Sequence, residues 1–375
     1  MVKRGVVAVS TLIIDADGHV EEDLAQLVKA VPDHLRSIAE DIVPKEPGAP
    51  RSIEGRPWVM PFPFPRGNEN HTSAGGVRQE GGRDPKVRIE VLDAEGIDLA
   101  VLFTSAGQLF FLFERPDVAQ ALCRAYNDWL AEYCAHAPDR LVGMALLPQQ
   151  DPELAAEELH RAVQQYGFVG GIIRPNRIAG RTIDDPAYDI LWQTAARLDV
   201  PITFHEAYIH GIDTVGQDRM PCYAACHVSS HVFEQMTAML VTTVMGIQDR
   251  FEGLRLGFME AGCGWAPTWL DRIEEHYEFA PADFLGGDPH GLVNKRTWLT
   301  FEIGEPGLEE ACRQGWADNI CFASDYPHFD ASYPGVIKKV QDRGLGAELE
   351  QKLFSSNALG LYGPRLEAVA ARVAR

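Results

Sequence analysis

No apolar run in the 375-residue chain approaches the roughly 20 residues that a helix needs to cross a bilayer. A secretory leader is not expected either: the apolar stretch Val6–Val9 is too short, and no clean cleavage site follows it. The expectation is a cytoplasmic protein. Positive charge is scarce, with 34 Lys and Arg against 54 Asp and Glu, a net charge of −20. That balance leaves no basic face for nucleic acid or an anionic membrane. The seven cysteines are odd in number and scattered, which argues for reduced thiols over a disulfide framework. One string, Cys222-x-x-x-Cys226-His227-x-x-x-His231, has zinc-ligand residue types. It runs into a helical pattern, whereas structural zinc sites join two loops or hairpins, so a structural zinc is not expected.

What is present is the composition of a globular enzyme, 46% hydrophobic and 23% charged, in a length suited to one large α/β barrel. Short apolar runs alternate with amphipathic stretches. Strands are expected at 12–16, 99–104, 141–147, 170–174, 201–205, 256–260, 298–302 and 320–324. The runs are almost continuously apolar, as in strands buried on both faces. Helices are expected at 117–136, 152–165, 186–198, 231–247 and 266–277, with a terminal one at 365–375. The alternation predicts a parallel sheet. No Gly-x-Gly-x-x-Gly turn follows the first strand, which favours a closed (β/α)8 TIM-type barrel over an open nucleotide-binding sheet. One barrel domain spanning 1–375 is expected, with a long Pro-, Gly- and aromatic-rich insertion after the first strand, at about 44–85, read as a lid, binding loop or oligomer contact, or equally as a plain surface loop.

In such a barrel the chemistry sits at the carboxyl ends of the strands. Residues i and i+2 of a strand point the same way, so Asp17 and His19 can converge on one metal. The fifth strand ends in His205 and Glu206, the sixth in Glu260 and the eighth in Asp325. Asp325 can also cap the helix that follows. His231, near the start of the helix after strand five, is a ligand or a proton-relay candidate. Arg174 ends strand four and can clamp a substrate carboxylate or phosphate, or pair with a ligand carboxylate. The expected metal ligands are therefore Asp17, His19, His205, Glu206, His231, Glu260 and Asp325. Glu260, Asp325, His231 and Arg174 are the catalytic candidates. The set is rich in carboxylates and lacks a thiolate, which suits Fe or Mn, with Zn on N/O ligands the alternative. Its size admits two metal ions.

Four segments, Leu12–Glu22 (LIIDADGHVEE), Pro201–His205 (PITFH), Phe258–Trp265 (FMEAGCGW) and Phe322–His328 (FASDYPH), resemble the amidohydrolase superfamily. The branch is that of the aminocarboxymuconate-semialdehyde decarboxylase-like proteins, and the likeness runs from Leu12 to Gly363. It implies the barrel, a metal at its mouth, and ligand roles for His19, His205 and Asp325. Asp17 stands where the usual first-strand motif has His, and Glu260 stands where the decarboxylases have a strand-six His. Strand four offers Arg174 and no Lys, so a carboxylated-lysine bridge is not expected. The two added carboxylates resemble the dinuclear oxygenases of the superfamily. The expected activity is accordingly an O2-dependent monooxygenase with a nonheme Fe/Fe or Fe/Mn centre hydroxylating a small organic substrate. Alternatives are a hydrolase of amides, esters or thioesters using metal-activated water, and a nonoxidative decarboxylase. A homo-oligomer, read as a dimer, or a hetero-oligomer with a related subunit, is expected by analogy.

Overall fold

The structure, a computed structural model, describes residues 12–45, 51–59, 61–62, 79–289, 296–328 and 331–373. The barrel strands are β1 (Ile14–Val20), β2 (Leu99–Thr104), β3 (Leu141–Gly143, resumed at Ala145–Leu146), β4 (Gly171–Ile173), β5 (Ile202–His205), β6 (Leu256–Met259), β7 (Thr297–Phe301) and β8 (Ile320–Phe322). Each is paired in parallel with the next in sequence. Beyond β8 the chain closes onto β1: Asp325 N–H donates to the Asp17 carbonyl (3.1 Å) and His19 N–H to that of Tyr326 (2.7 Å). Closure is reinforced by the Asp15 carboxylate, which accepts from the Ser324 N–H (2.8 Å) and hydroxyl (2.6 Å).

The outer helices are α1 (Pro85–Glu95), α2 (Pro116–Cys134), α3 (Pro152–Tyr166), α4 (Asp189–Leu198), α5 (Tyr223–Val244) and α6 (Ala266–Phe279). Asp84 and Asp151 cap α1 and α3, each accepting first-turn N–H bonds ahead of a Pro. No helix among the described residues is long and apolar enough to cross a membrane.

Three boundaries differ from expectation in ways that matter for the site. β1 continues through Asp17 and His19 to Val20 and is buried throughout, although Asp, Gly and His resemble loop residues. Its register against β2 shifts between Asp15 and Gly18, an extra residue that lets Asp15 turn to Ser324 while Asp17 and His19 face the mouth. Gly18 is needed there, because a Cβ would lie 2.4 Å from Arg88 Nη2 and 2.6 Å from Asp15 Oδ2. α5 begins at Tyr223, two turns before His231, so the Cys222–His231 string is helical and His231 is not near the helix start. Much of the insertion at about 44–85 lies outside the described residues. What is described includes the hairpin Arg51–Ile53/Arg56–Trp58, fastened over the mouth loops by Trp58 Nε1 to the His210 carbonyl (2.6 Å) and Arg56 Nη2 to that of Leu112 (3.1 Å).

Candidate metal centre

Two histidines face each other at the mouth. His19 and His205 are both fully buried, with their Nε2 atoms 3.1 Å apart. The Nδ1 atom of His19 lies 3.0 Å from the Thr104 carbonyl, and that of His205 lies 3.0 Å from the Glu206 carbonyl. A carbonyl can only accept, so each Nδ1 carries the proton and each Nε2 turns a lone pair inward. The Gln108 amide, 3.3 Å from the same His205 nitrogen, is the longer contact. Burial holds both rings neutral, and His205 is pushed down to about 3. Two acceptors this close repel each other unless a cation lies between them.

The carboxylates surround that point. Asp17 Oδ1 is 3.5 Å from His19 Nε2 and 3.7 Å from His205 Nε2, and this buried oxygen has no hydrogen-bond donor among the described residues. Glu260 Oε2 is 3.0 Å from His205 Nε2, and Asp325 Oδ1 is 3.7 Å from His19 Nε2. Ligand atoms of Asp17, His19 and His205 all lie within 4.8 Å of one another, as do those of His19, Glu260, Asp325 and His328. Burial, then the Asp325 charge, pushes the Asp17 carboxyl well above the usual range, a cost that a bound cation removes. The residues therefore fit a divalent metal. Glu260 and Asp325 are held in the left-handed region, with φ of 52° and 54°. Non-glycine residues seldom adopt it, and such backbone strain concentrates at functional sites.

Not every expected ligand joins the cluster. Glu206 turns away and pairs with Arg174, Nη2 to Oε2 at 2.6 Å, both side chains fully buried. Arg174 also donates to the Ala207 carbonyl (2.7 Å), Gln108 Oε1 (3.1 Å) and Asn176 Oδ1 (2.9 Å). Of the two roles open to Arg174, the structure selects pairing with a carboxylate. In this arrangement the guanidinium is committed to four partners, and Glu206 Oε2 faces Arg174 and not the two histidines. His231 is adjacent, with Nε2 3.6 Å from Glu260 Oε1 and Nδ1 3.0 Å from the His227 carbonyl, and it reaches the cluster through Glu260.

One participant lies outside the expected set. His328 Nδ1 is 2.6 Å from Asp325 Oδ1, its Nε2 is 2.8 Å from Ser105 Oγ, and its ring lies over that of His19 with centroids 4.0 Å apart. Its signal was the Asp-x-x-His spacing in the segment after β8. Ser105 is placed in turn by Glu22, a buried carboxylate that accepts the Ser105 and Ala106 N–H groups (3.2 and 2.8 Å) and the Thr104 hydroxyl. Burial pushes Glu22 up to about 7.

The amidohydrolase family profile matches residues 14–363. A gamma-resorcylate decarboxylase of Polaromonas sp. is 30% identical over 72% of this chain and 87% of its own length. The 2-amino-3-carboxymuconate-6-semialdehyde decarboxylase of Dictyostelium discoideum is 29% identical over 75% and 77%. The solved 5-carboxyvanillate decarboxylase of Novosphingobium aromaticivorans, a complex with manganese, superposes with a TM-score of 0.68 at 20% identity, covering 95% of this chain and 97% of that one. The relatives correct the expected chemistry. They are decarboxylases, which overturns the O2-dependent monooxygenase and, with it, the dioxygen partner. Iron likewise loses its support. The two carboxylates behind that expectation, Asp17 and Glu260, do stand at the cluster, but anionic ligands alone do not specify redox chemistry. From β1 to the helices after β8, the chain belongs to the amidohydrolase family.

Proposed function

We propose that this chain is a metal-dependent, nonoxidative decarboxylase of a small aromatic or enol-type carboxylic acid, built as one barrel domain. The observation that carries the reading is a buried two-histidine, carboxylate-ringed cluster in a chain 30% identical to a gamma-resorcylate decarboxylase. Asp17, His19, His205 and Asp325 would hold the cation. A manganese-type divalent ion suits this N/O set, with zinc the alternative. Bound there, it would supply the positive charge that receives the substrate's anionic oxygens, a task Arg174 cannot perform.

Decarboxylation breaks a carbon–carbon bond, leaves its electron pair on the ring or enol carbon, and requires a proton at that carbon as CO2 departs. Glu260 is the proposed donor. It replaces the strand-six histidine, its side chain is partly open to the mouth, and its two oxygens reach His205 on one side and His231 on the other. The neutral His231 ring orients it. His328, bound to Asp325 and propped by Ser105, fixes the Asp325 carboxylate in place.

The test is a panel of carboxyl-13C acids, including 2,6-dihydroxybenzoate and 5-carboxyvanillate, incubated under nitrogen with manganese-loaded protein. Labelled bicarbonate released without oxygen supports the reading. Glu260→Gln should lower kcat by roughly 10²–10⁴-fold, as loss of a general acid does, while leaving metal content intact. If no acid loses CO2, and an ester, amide or thioester instead takes up 18O from water, the enzyme is a hydrolase and the proposal fails.

A further inference from the structure

The turn between β6 and α6, Glu260-Ala-Gly-Cys-Gly-Trp265, holds a side chain of the metal centre in a backbone conformation that glutamate resists. Glu260 has a φ of 52° and Gly262 one of 67°. A left-handed glutamate relaxes to commoner geometry unless its surroundings fix it. Part of the hold is local. Glu260 N–H donates to Thr300 Oγ1 on β7 (2.9 Å), and the Trp265 indole N–H donates to the Ala261 and Gly262 carbonyls (3.1 and 2.9 Å).

A further hold comes from Glu305, in the loop after β7, which enters the turn as a built-in anion. Its carboxylate accepts the Cys263 N–H (2.9 Å), the Gly264 N–H (2.6 Å) and, at 3.3 Å, the Glu302 N–H. The Cys263 thiol, kept protonated by burial and then by the Glu305 charge, donates to the same group at 3.4 Å. Successive backbone N–H groups turned to one point form an anion-binding nest. The glycines make room for its occupant: a Cβ on Gly262 would lie 2.9 Å from Glu305 Oε1, and one on Gly264 would lie 3.0 Å from the same atom.

Glu305 is itself tied down. Its carbonyl accepts from Arg343 Nη2 (2.6 Å), Arg343 Nη1 donates to the Ile303 carbonyl (3.0 Å), and the same guanidinium pairs with Glu309 (2.6 Å). A neutral amide could not replace this carboxylate. Both of its oxygens accept N–H groups, so either orientation of a glutamine would set an NH2 against a backbone donor.

We propose that Glu305 is the positioning residue for Glu260. Seated in the turn, its carboxylate keeps the Glu260 backbone left-handed, the conformation from which that side chain meets both His205 and His231. This role rests on Glu260 being the proton donor, yet the geometry behind it can be measured without substrate.

Glu305→Gln in the manganese-loaded full chain tests it. With an acid that the wild type decarboxylates, kcat should fall roughly 100-fold, the cost of misplacing a reacting group by about 1 Å, with KM and manganese content little changed. In a Glu260→Gln background the same substitution should change kcat by no more than about twofold, because the group it positions is gone. Gly264→Ala, which crowds Glu305 Oε1 while keeping its charge, should reproduce the loss and decides the matter if Glu305→Gln does not fold. Crystal structures of the variants should show Glu260 out of the left-handed region and its carboxylate withdrawn from His205. An unchanged kcat, or an equal loss in both backgrounds, would overturn the role, as would variant structures with Glu260 in place. If the wild type decarboxylates nothing, the proposed activity fails on its own, and the variant structures still decide the positioning.

Discussion

Replacing Arg174 by Met separates its positioning role from the substrate-clamp role first expected of it. Arg174 and Glu206 are both fully buried and 2.6 Å apart, and the guanidinium also holds Gln108, Asn176 and the Ala207 carbonyl. Methionine fills similar volume but leaves Glu206 as a buried, uncompensated acid. Breaking such a pair from one side costs about 3–5 kcal/mol, whereas removing both charges costs less because no orphan remains. With an unfolding entropy of about 2.1 cal/mol/K per residue, a 375-residue chain has roughly 0.8 kcal/mol/K, so Tm of the metal-free protein should fall by about 4–6 °C. Arg174→Met/Glu206→Gln should recover part of that loss. Because the Glu206 carbonyl fixes the His205 tautomer, manganese affinity should also weaken, by about 10–100-fold, as for other groups that orient a metal ligand. Thermal unfolding by circular dichroism and calorimetric metal titration read the two effects. A Tm unchanged within a degree, or a double variant as unstable as the single one, would refute the reasoning. A single variant that kept stability and metal affinity but lost substrate binding would restore the clamp.

Two further outcomes follow from the neighbouring residues. Burial raises the Glu22 carboxyl from 4.5 to about 7, so the folded state keeps a proton that the unfolded state has released. Its stabilisation is full below about pH 4.5 and is lost as pH rises through 7, with a slope of at most about 1.4 kcal/mol per pH unit. Chemical denaturation across that window should show wild-type stability falling relative to Glu22→Gln; parallel profiles would contradict it. His328→Phe removes the bonds to Asp325 and Ser105 while keeping a ring beside His19, and calorimetry should show manganese binding roughly 10-fold weaker or worse in a protein of unchanged fold.

The barrel and half of the centre were legible because buried strands are nearly all apolar, so the polar residues at their ends stand out. Asp17, His19, His205, Glu260 and Asp325 stand out that way, and the structure brings them together. Reading failed where partners are set by tertiary contact. Nothing local in His205-Glu206 reveals that one side chain faces the mouth and the other faces Arg174. His328 stands in one of the family-like segments yet escapes selection, because a loop residue carries no periodicity to say where it points. The start of α5 is set two turns late from the sequence because its apolar residues face outward, so its pattern has no core stripe to follow. The oxygenase expectation failed differently: it converted two substituted carboxylates, Asp17 and Glu260, into a reaction, although the same donors serve a metal in nonoxidative chemistry equally well.

The decarboxylase assignment stands or falls on where the proton goes. Manganese-loaded protein, a carboxyl-13C acid from the panel and D2O, held under nitrogen, should give one labelled bicarbonate and one carbon-bound deuteron per turnover, read together by NMR and mass spectrometry. Bicarbonate that appears only when oxygen is admitted, or product carrying a new C–O bond in place of C–D, would contradict the account.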